Sequence, residues 1–286
     1  MRKRFVGSIV VWLVALLCVL SCAPATSAPI RVVTGSSLIT DIVQNIAGNR
    51  VEPRTLIPPG VCPGHYDIKP SDIEALSKSR ALLIHTYQQN FKNITQLVEA
   101  ANNPNLIVKV INVEGNWMVP QVHAEAVLKI AQALGELDPE NSESYQLRAE
   151  QRRGAILAKG EEVARELSQA RVSDIKVICA DMQAGFVKWA GFQIVATYGR
   201  PEDLSVADIE KLISQAREAG VALVIDNLQS GATATSEAMA QDIGAIQVTI
   251  SNFPGGFENT ETWEKALDRN VELLLAAVNG WRQRHG

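Results

Sequence analysis

The chain has 286 residues, a formal net charge of -4 and an ordinary charged fraction of 20%. Phosphate binding needs a basic face, and no Lys/Arg cluster follows the first few residues, which argues against nucleic acid as a partner. The length fits one large domain or two of moderate size, and an apolar fraction of 47% is ample for real cores.

Arg2, Lys3 and Arg4 precede an apolar run over residues 5–20, the charged and apolar regions of a secretory signal. The run is about as short as a membrane span can be, and small residues follow it at once. Val19-Leu20-Ser21-Cys22 has the pattern of a loose bacterial lipobox, with Cys22 as the lipidated residue. Thr26-Ser27-Ala28 is a rival cleavage site, disfavoured by Pro29 directly after it. On either reading the mature protein works outside the cytoplasm. Cys18 and Cys22 then belong to the export segment, and the folded part keeps Cys62 and Cys179. In an oxidising compartment two such thiols are open to a disulfide.

Residues 30–34 form a short β-branched strand, followed by Gly35-Ser36-Ser37 and a helix with Leu38, Ile39, Ile42, Val43 and Ile46 on one face. Ser36 or Ser37 caps its start. Residues 51–57 are a second strand, leading into the loop 58–70. Ser71-Asp72-Ile73-Glu74 opens a short helix with a capping-box pattern. A third strand over 81–84 ends at His85, a helix covers about 91–101, and 106–111 is a fourth strand. A helix over 120–137 carries His123, Val127, Ile130 and Leu134 on one stripe. From Glu140 to about Ala170 the chain runs without Pro and with two Gly. At 1.5 Å per residue this helix spans about 45 Å, and its irregular heptads favour a strut between lobes over a coiled coil. Strands over 176–179, 193–197, 222–225 and 246–250 then alternate with helices closing at Gly191, capped by Ser205, covering 236–243, and running from Thr260 or Glu261 to about Trp281. Alternation on both sides of one long helix predicts an α/β fold, two α/β lobes with mostly parallel sheets. The boundaries are a signal peptide and tether over 1–28, lobes over 29–138 and 172–286, and the linking helix over 139–171.

The loop 58–70 packs Cys62 and His65 among four prolines and two glycines. Proline fixes φ and glycine supplies conformations other residues avoid, so the two side chains are held with little entropy left to lose. Cys-x-x-His is a spacing that lets both reach one metal ion. Open parallel sheets bind ligands beyond the carboxyl ends of their strands. That rule gathers Cys62, His65 and His85 in the first half, and Cys179, Asp226 and the loops Tyr198-Gly-Arg-Pro-Glu-Asp and Ser251-Asn-Phe-Pro-Gly-Gly in the second. His123 reads as a core histidine or a ligand at a helix start facing the cleft. Asp226 reads first as a cap or hydrogen-bond acceptor. No Gly-x-Ser-x-Gly elbow, P-loop or Gly-x-Gly-x-x-Gly is present, so capture of a ligand is expected rather than catalysis. A thiol-dependent enzyme is the remaining catalytic reading.

Ile30-Arg-Val-Val-Thr34, Leu56-Ile-Pro-Pro-Gly-Val61, His65-Tyr-Asp-Ile-Lys-Pro-Ser-Asp72, the long helix, and Trp117 with Pro120 ahead of Leu134-Gly-Glu-Leu-Asp-Pro139 resemble the zinc/manganese solute-binding proteins of ABC importers, with the TroA-like fold. The resemblance implies two lobes joined by a rigid helix, one metal ion between them, and delivery to a membrane permease. Of that family's four ligands the first falls on His65. The second falls on Gly115, the third near Cys179 or Ala180, and the fourth near Ser251 or Asn252, so three differ. The His/acid-rich loop of many zinc members is missing.

The expectation is a softer site of Cys62, His65 and Cys179, completed by His123 or His85, favouring zinc or copper(I) over manganese. A disulfide between Cys62 and Cys179 would abolish it, and a metal chelate or small organic ligand is the alternative cargo. The expected protein is an extracytoplasmic, lipid-anchored component of an ABC importer.

Overall fold

A computed structural model describes residues 28–231 and 233–285. The export segment, with the lipidation expected at Cys22, lies outside the described residues.

The N-terminal lobe contains β1 (Ile30–Thr34), α1 (Ser37–Ala47), β2 (Val51–Thr55), α2 (Pro70–Ser77), β3 (Ala81–His85), α3 (Lys92–Ala101) and β4 (Ile107–Ile111). Two helices follow, α4 (Pro120–Leu137) and α5 (Ser142–Gln169). The C-terminal lobe contains β5 (Lys176–Ala180), α6 (Ala184–Trp189), β6 (Gln193–Tyr198), α7 (Val206–Ala219), β7 (Leu223–Asn227), α8 (Ala234–Ile243), β8 (Ile246–Ile250) and α9 (Trp263–His285). Every strand pair is parallel, in the orders β2-β1-β3-β4 and β6-β5-β7-β8. The two sheets therefore share one topology, each with its switch point between its two central strands.

Local chemistry sets the ends of these elements. The Ser36 hydroxyl accepts from the Ile39 N–H and caps α1. Ser205 caps α7 in the same way, with Asp208 returning the bond. The capping box of α2 sits earlier than the sequence pattern suggests. Lys69 is the N-cap and Asp72, not Glu74, accepts from its backbone N–H, because Pro70 is well suited to the first helical position. A single 3₁₀ turn, Pro139–Asn141, precedes α5, whose 28 residues span about 42 Å. Its buried face is Tyr145, Ala149, Ile156, Gly160, Val163 and Leu167. Leu147, on the same helix, is 62% exposed.

Period-2 alternation divides each sheet between two cores. In β3, Ala81 and Leu83 face a central core while Leu82 and Ile84 face an outer one under α2 and α3. In β5, Val177 and Cys179 face the same central core, and Ile178 and Ala180 face an outer one under α7 and α8. The central core runs without interruption from β1 and β3 through α4 and α5 to β7, β8 and α9. α4 lies so close along α5 that a Cβ on Gly160 would come within 2.6 Å of the Pro120 ring.

Candidate metal centre

His65 stands on a rigid loop. Pro63–His65 form one 3₁₀ turn, closed by the His65 N–H donating to the Cys62 carbonyl at 3.1 Å. The Asn93 side chain donates to the carbonyls of Pro63 (2.9 Å) and Tyr66 (3.0 Å), tying the turn to α3. Behind it the buried Asp72 carboxylate accepts from the Tyr66 hydroxyl (2.8 Å), the Lys69 N–H (3.0 Å) and Arg54 (3.3 Å). Burial and this carboxylate push the Tyr66 phenol up to about 12, so it stays a donor. Much of the His-x-Asp-x-x-Pro-Ser-Asp pattern thus holds the loop, and His65 is the side chain it presents. The imidazole is more than half exposed and faces the loop after β6. Arg200 Nη1 lies 3.1 Å from His65 Nε2, and Glu202 Oε1 lies 4.0 Å from His65 Nδ1 and 3.7 Å from Arg200 Nη1. A guanidinium only donates, so Nε2 accepts and its lone pair is engaged. Cys62 is half-buried in the same loop.

The other expected donors lie elsewhere. Cys179 is wholly buried and faces the central core, where burial, with Asp181 nearby, pushes its thiol up to about 12. Cys62 and Cys179 are both free, so the expected alternative of a disulfide between them is absent. His123 is also wholly buried, stacked on Trp263 with ring centroids 4.8 Å apart. Burial, then the Arg152 charge, holds it well below the usual imidazole range. His85 Nε2 is 2.7 Å from the Ser36 hydroxyl, and burial drops its pKa to about 3. Asp226 points to the α8 side, where Ser236 donates to it at 2.5 Å. Burial raises its pKa despite that bond. Among the described residues no three His, Cys, Asp or Glu side chains come together as a metal-holding group. Of the four donors expected from the sequence, only Cys62 and His65 share a loop, and Cys179 and His123 lie apart from them in the core. Strand register turns Cys179 into the core, since one residue's shift decides which face a side chain takes, while His123 is buried by stacking on Trp263 and His85 is held by Ser36.

Carboxamides fill the strand ends instead. Gln88 plugs the first switch point, accepting from the His85 N–H (3.0 Å) and donating to the Gly35 carbonyl (2.9 Å). Gln183 plugs the second, donating to the Asn227 side chain (3.1 Å) and the Ile250 carbonyl (3.2 Å). Asn116 crosses the cleft, donating to the Asn252 side chain (2.7 Å) and the Met182 carbonyl (2.9 Å). Gly115, where a second histidine is expected, has φ of 99°, a conformation that strains any side-chain-bearing residue. Arg200, Glu202 and Asn116 are the cleft residues that periodicity does not single out. Their signal was position alone, in loops after β6 and β4.

The family model of ZnuA, the periplasmic component A of a zinc-uptake complex, matches residues 32–277. The chain belongs to the ZnuA family. It is 26% identical over 170 residues to the manganese ABC transporter substrate-binding lipoprotein PsaA of Streptococcus pneumoniae, over 50% of this chain and 55% of that one. It is 28% identical over 81 residues to the metal ABC transporter substrate-binding lipoprotein FimA of Streptococcus parasanguinis, over 27% and 26%. The match thus spans about half the length of the first of these relatives and a quarter of the second. Among solved structures, the periplasmic zinc-binding protein TroA of Treponema pallidum superposes with a TM-score of 0.73 at 18% identity, covering 88% of this chain and 99% of that one. The binding protein FpvC of P. aeruginosa, solved with Ni2+, gives 0.73 at 18% identity, covering 88% and 97%. These structures carry the two-lobe ZnuA-type fold, and the expected α/β architecture is borne out. Zinc, manganese and nickel all stand in the names of these relatives.

Proposed function

We propose that this chain is the extracytoplasmic substrate-binding component of an ABC importer, capturing a transition metal and handing it to a membrane permease. His65 is the principal donor, Cys62 its neighbour, and zinc is the first cargo to test, ahead of manganese. The observation that carries the reading is His65 itself, an exposed imidazole on a braced loop beyond the carboxyl ends of the N-terminal sheet, facing the other lobe. Imidazole and thiolate donors suit zinc better than manganese, which prefers oxygen. Coordination needs neutral imidazole and ionised thiol, so binding releases protons and involves no bond-making catalysis. Export through the N-terminal segment and anchoring at Cys22 belong to the same reading. So does the division into lobes over 29–138 and 172–286 around a linking segment over 139–171.

The test is a thermal-melt screen of reduced, metal-free protein against Zn, Mn, Ni, Co and Cu(I). A ligand at about a hundred times its Kd adds about 2.7 kcal/mol. An upward shift that His65→Ala abolishes supports the proposal, and no shift with any ion at millimolar concentration overturns it.

A further inference from the structure

We infer that the cleft takes its metal as an anionic chelate, with His65 coordinating the ion and Arg200 holding a carboxylate of the chelator. The inference rests on the transition-metal reading of this site and names the form of the cargo.

The donor set comes first. A tetrahedral zinc ion needs four donors. The cleft offers the His65 imidazole and, three residues earlier, the Cys62 thiol, and among the described residues no third His, Cys, Asp or Glu completes a metal-holding group. Gly115 has no donor to give, and Asn116 and Asn252 spend their amides on each other across the cleft. At least two coordination positions are left for donors that arrive with the metal.

Charge is the second observation. The Glu202 carboxylate lies 4.0 Å from His65 Nδ1, and the Arg200 guanidinium lies 3.1 Å from Nε2, the ring nitrogen at which we place the metal. A bare divalent cation must displace a positive charge from that nitrogen and then remain beside it, and the two repel. A chelate with its own carboxylates reverses the sign of this interaction. Arg200 engages only Nη1, with His65 and the edge of Glu202, while Nε and Nη2 make no hydrogen bond among the described residues. Those free N–H groups are the fork that matches a carboxylate in bidentate fashion. As the ion reaches Nε2, the guanidinium moves from the imidazole to the carboxylate. The chemical class is thus a small polycarboxylate complex of a divalent transition metal.

The experiment titrates the full chain with ZnCl2 and with zinc citrate by calorimetry, and reads the complex by native mass spectrometry. A protein that takes only the free ion binds more weakly in citrate, because the chelator competes for zinc. The expected result is the opposite, at least tenfold tighter binding of zinc citrate and a mass of chain plus one zinc plus one citrate. Arg200→Gln should lose that tightening by tenfold or more while its affinity for the free ion rises. His65→Ala should lose both. Tighter binding of the free ion, zinc bound without citrate, or an Arg200→Gln variant that binds zinc citrate as wild type does would overturn the inference and leave the metal reading standing. Failure of both zinc forms to bind would remove the metal reading and the inference with it.

Discussion

Asp72 closes three bonds behind the loop that carries His65. Asp72→Ala leaves the Tyr66 hydroxyl and the Lys69 N–H without their acceptor, at a cost of about 1–3 kcal/mol. Loss of a supporting partner typically weakens a metal site by about 10–100-fold. Zinc titration of Asp72→Ala should show a drop of that size, and unchanged affinity would show that the loop holds His65 without it. The two thiols should separate as cleanly. Cys62 is half-buried and should react with a thiol reagent in the native state, whereas Cys179 should react only on unfolding. Cys179→Ser should leave metal affinity intact and lower stability by about 1–3 kcal/mol, since it buries a hydroxyl in an apolar core. A fall in affinity instead would return Cys179 to the site.

At the scale of elements, α5 is more than a spacer. Arg152 projects from it to a bidentate pair with Glu264 of α9, through Nη1 to Oε1 and through Nη2 to Oε2 at 2.9 Å. It reaches Asp41 of α1 at 3.6 Å. One guanidinium thus joins both lobes to the linking helix, and Glu264 has the better share of it. Burial would raise the Glu264 carboxyl, but Arg152 outweighs it and holds it below the usual range. For Asp41 burial wins over Arg152, with Glu264 adding repulsion, and its pKa is pushed up to about 6. A raised carboxyl favours the folded state when protonated. Its stabilisation is present below the ordinary value near 4 and is lost as pH rises through about 6. A carboxyl raised that far carries about 3 kcal/mol of this pH-dependent stability. Urea melts from pH 4 to pH 7 should show the loss, and Asp41→Asn should flatten that part of the profile. Parallel profiles for the two proteins would show that Asp41 does not titrate in this window.

For the molecule as a whole, the decisive feature is that the lobes do not own separate cores on their facing sides. The central core passes through α4 and α5 into both sheets. Direct bonds also cross between lobes, from Ser37 to the Pro254 carbonyl (2.7 Å), Gln229 to the Pro59 carbonyl (2.7 Å) and Trp263 to the Trp117 carbonyl (3.0 Å). Such a molecule should unfold as one cooperative unit, with calorimetric and van't Hoff enthalpies in agreement. Two resolved heat-absorption peaks would contradict a shared core.

What the amino-acid sequence determined by itself is the alternation of strands and helices, the single long helix, and the loop that presents His65. Hydrophobic periodicity, caps at Ser36 and Ser205, and prolines and glycines are local signals, and they act over a few residues. Tertiary structure alone decided which chemistry-bearing side chains meet. Cys179, His85 and Asp226 each sit at or near a strand end, as expected, but strand register turns Cys179 into the central core and Asp226 toward α8, and Ser36 engages His85. His123 lies on an apolar stripe, and stacking against Trp263, more than a hundred residues away, fixes it there. Arg200 became part of the site because the fold brings the loop after β6 against the loop after β2. Contacts across 135 residues leave no local trace in sequence, which is why the loops of His65 and Arg200 were each legible and the pairing of the two side chains was not.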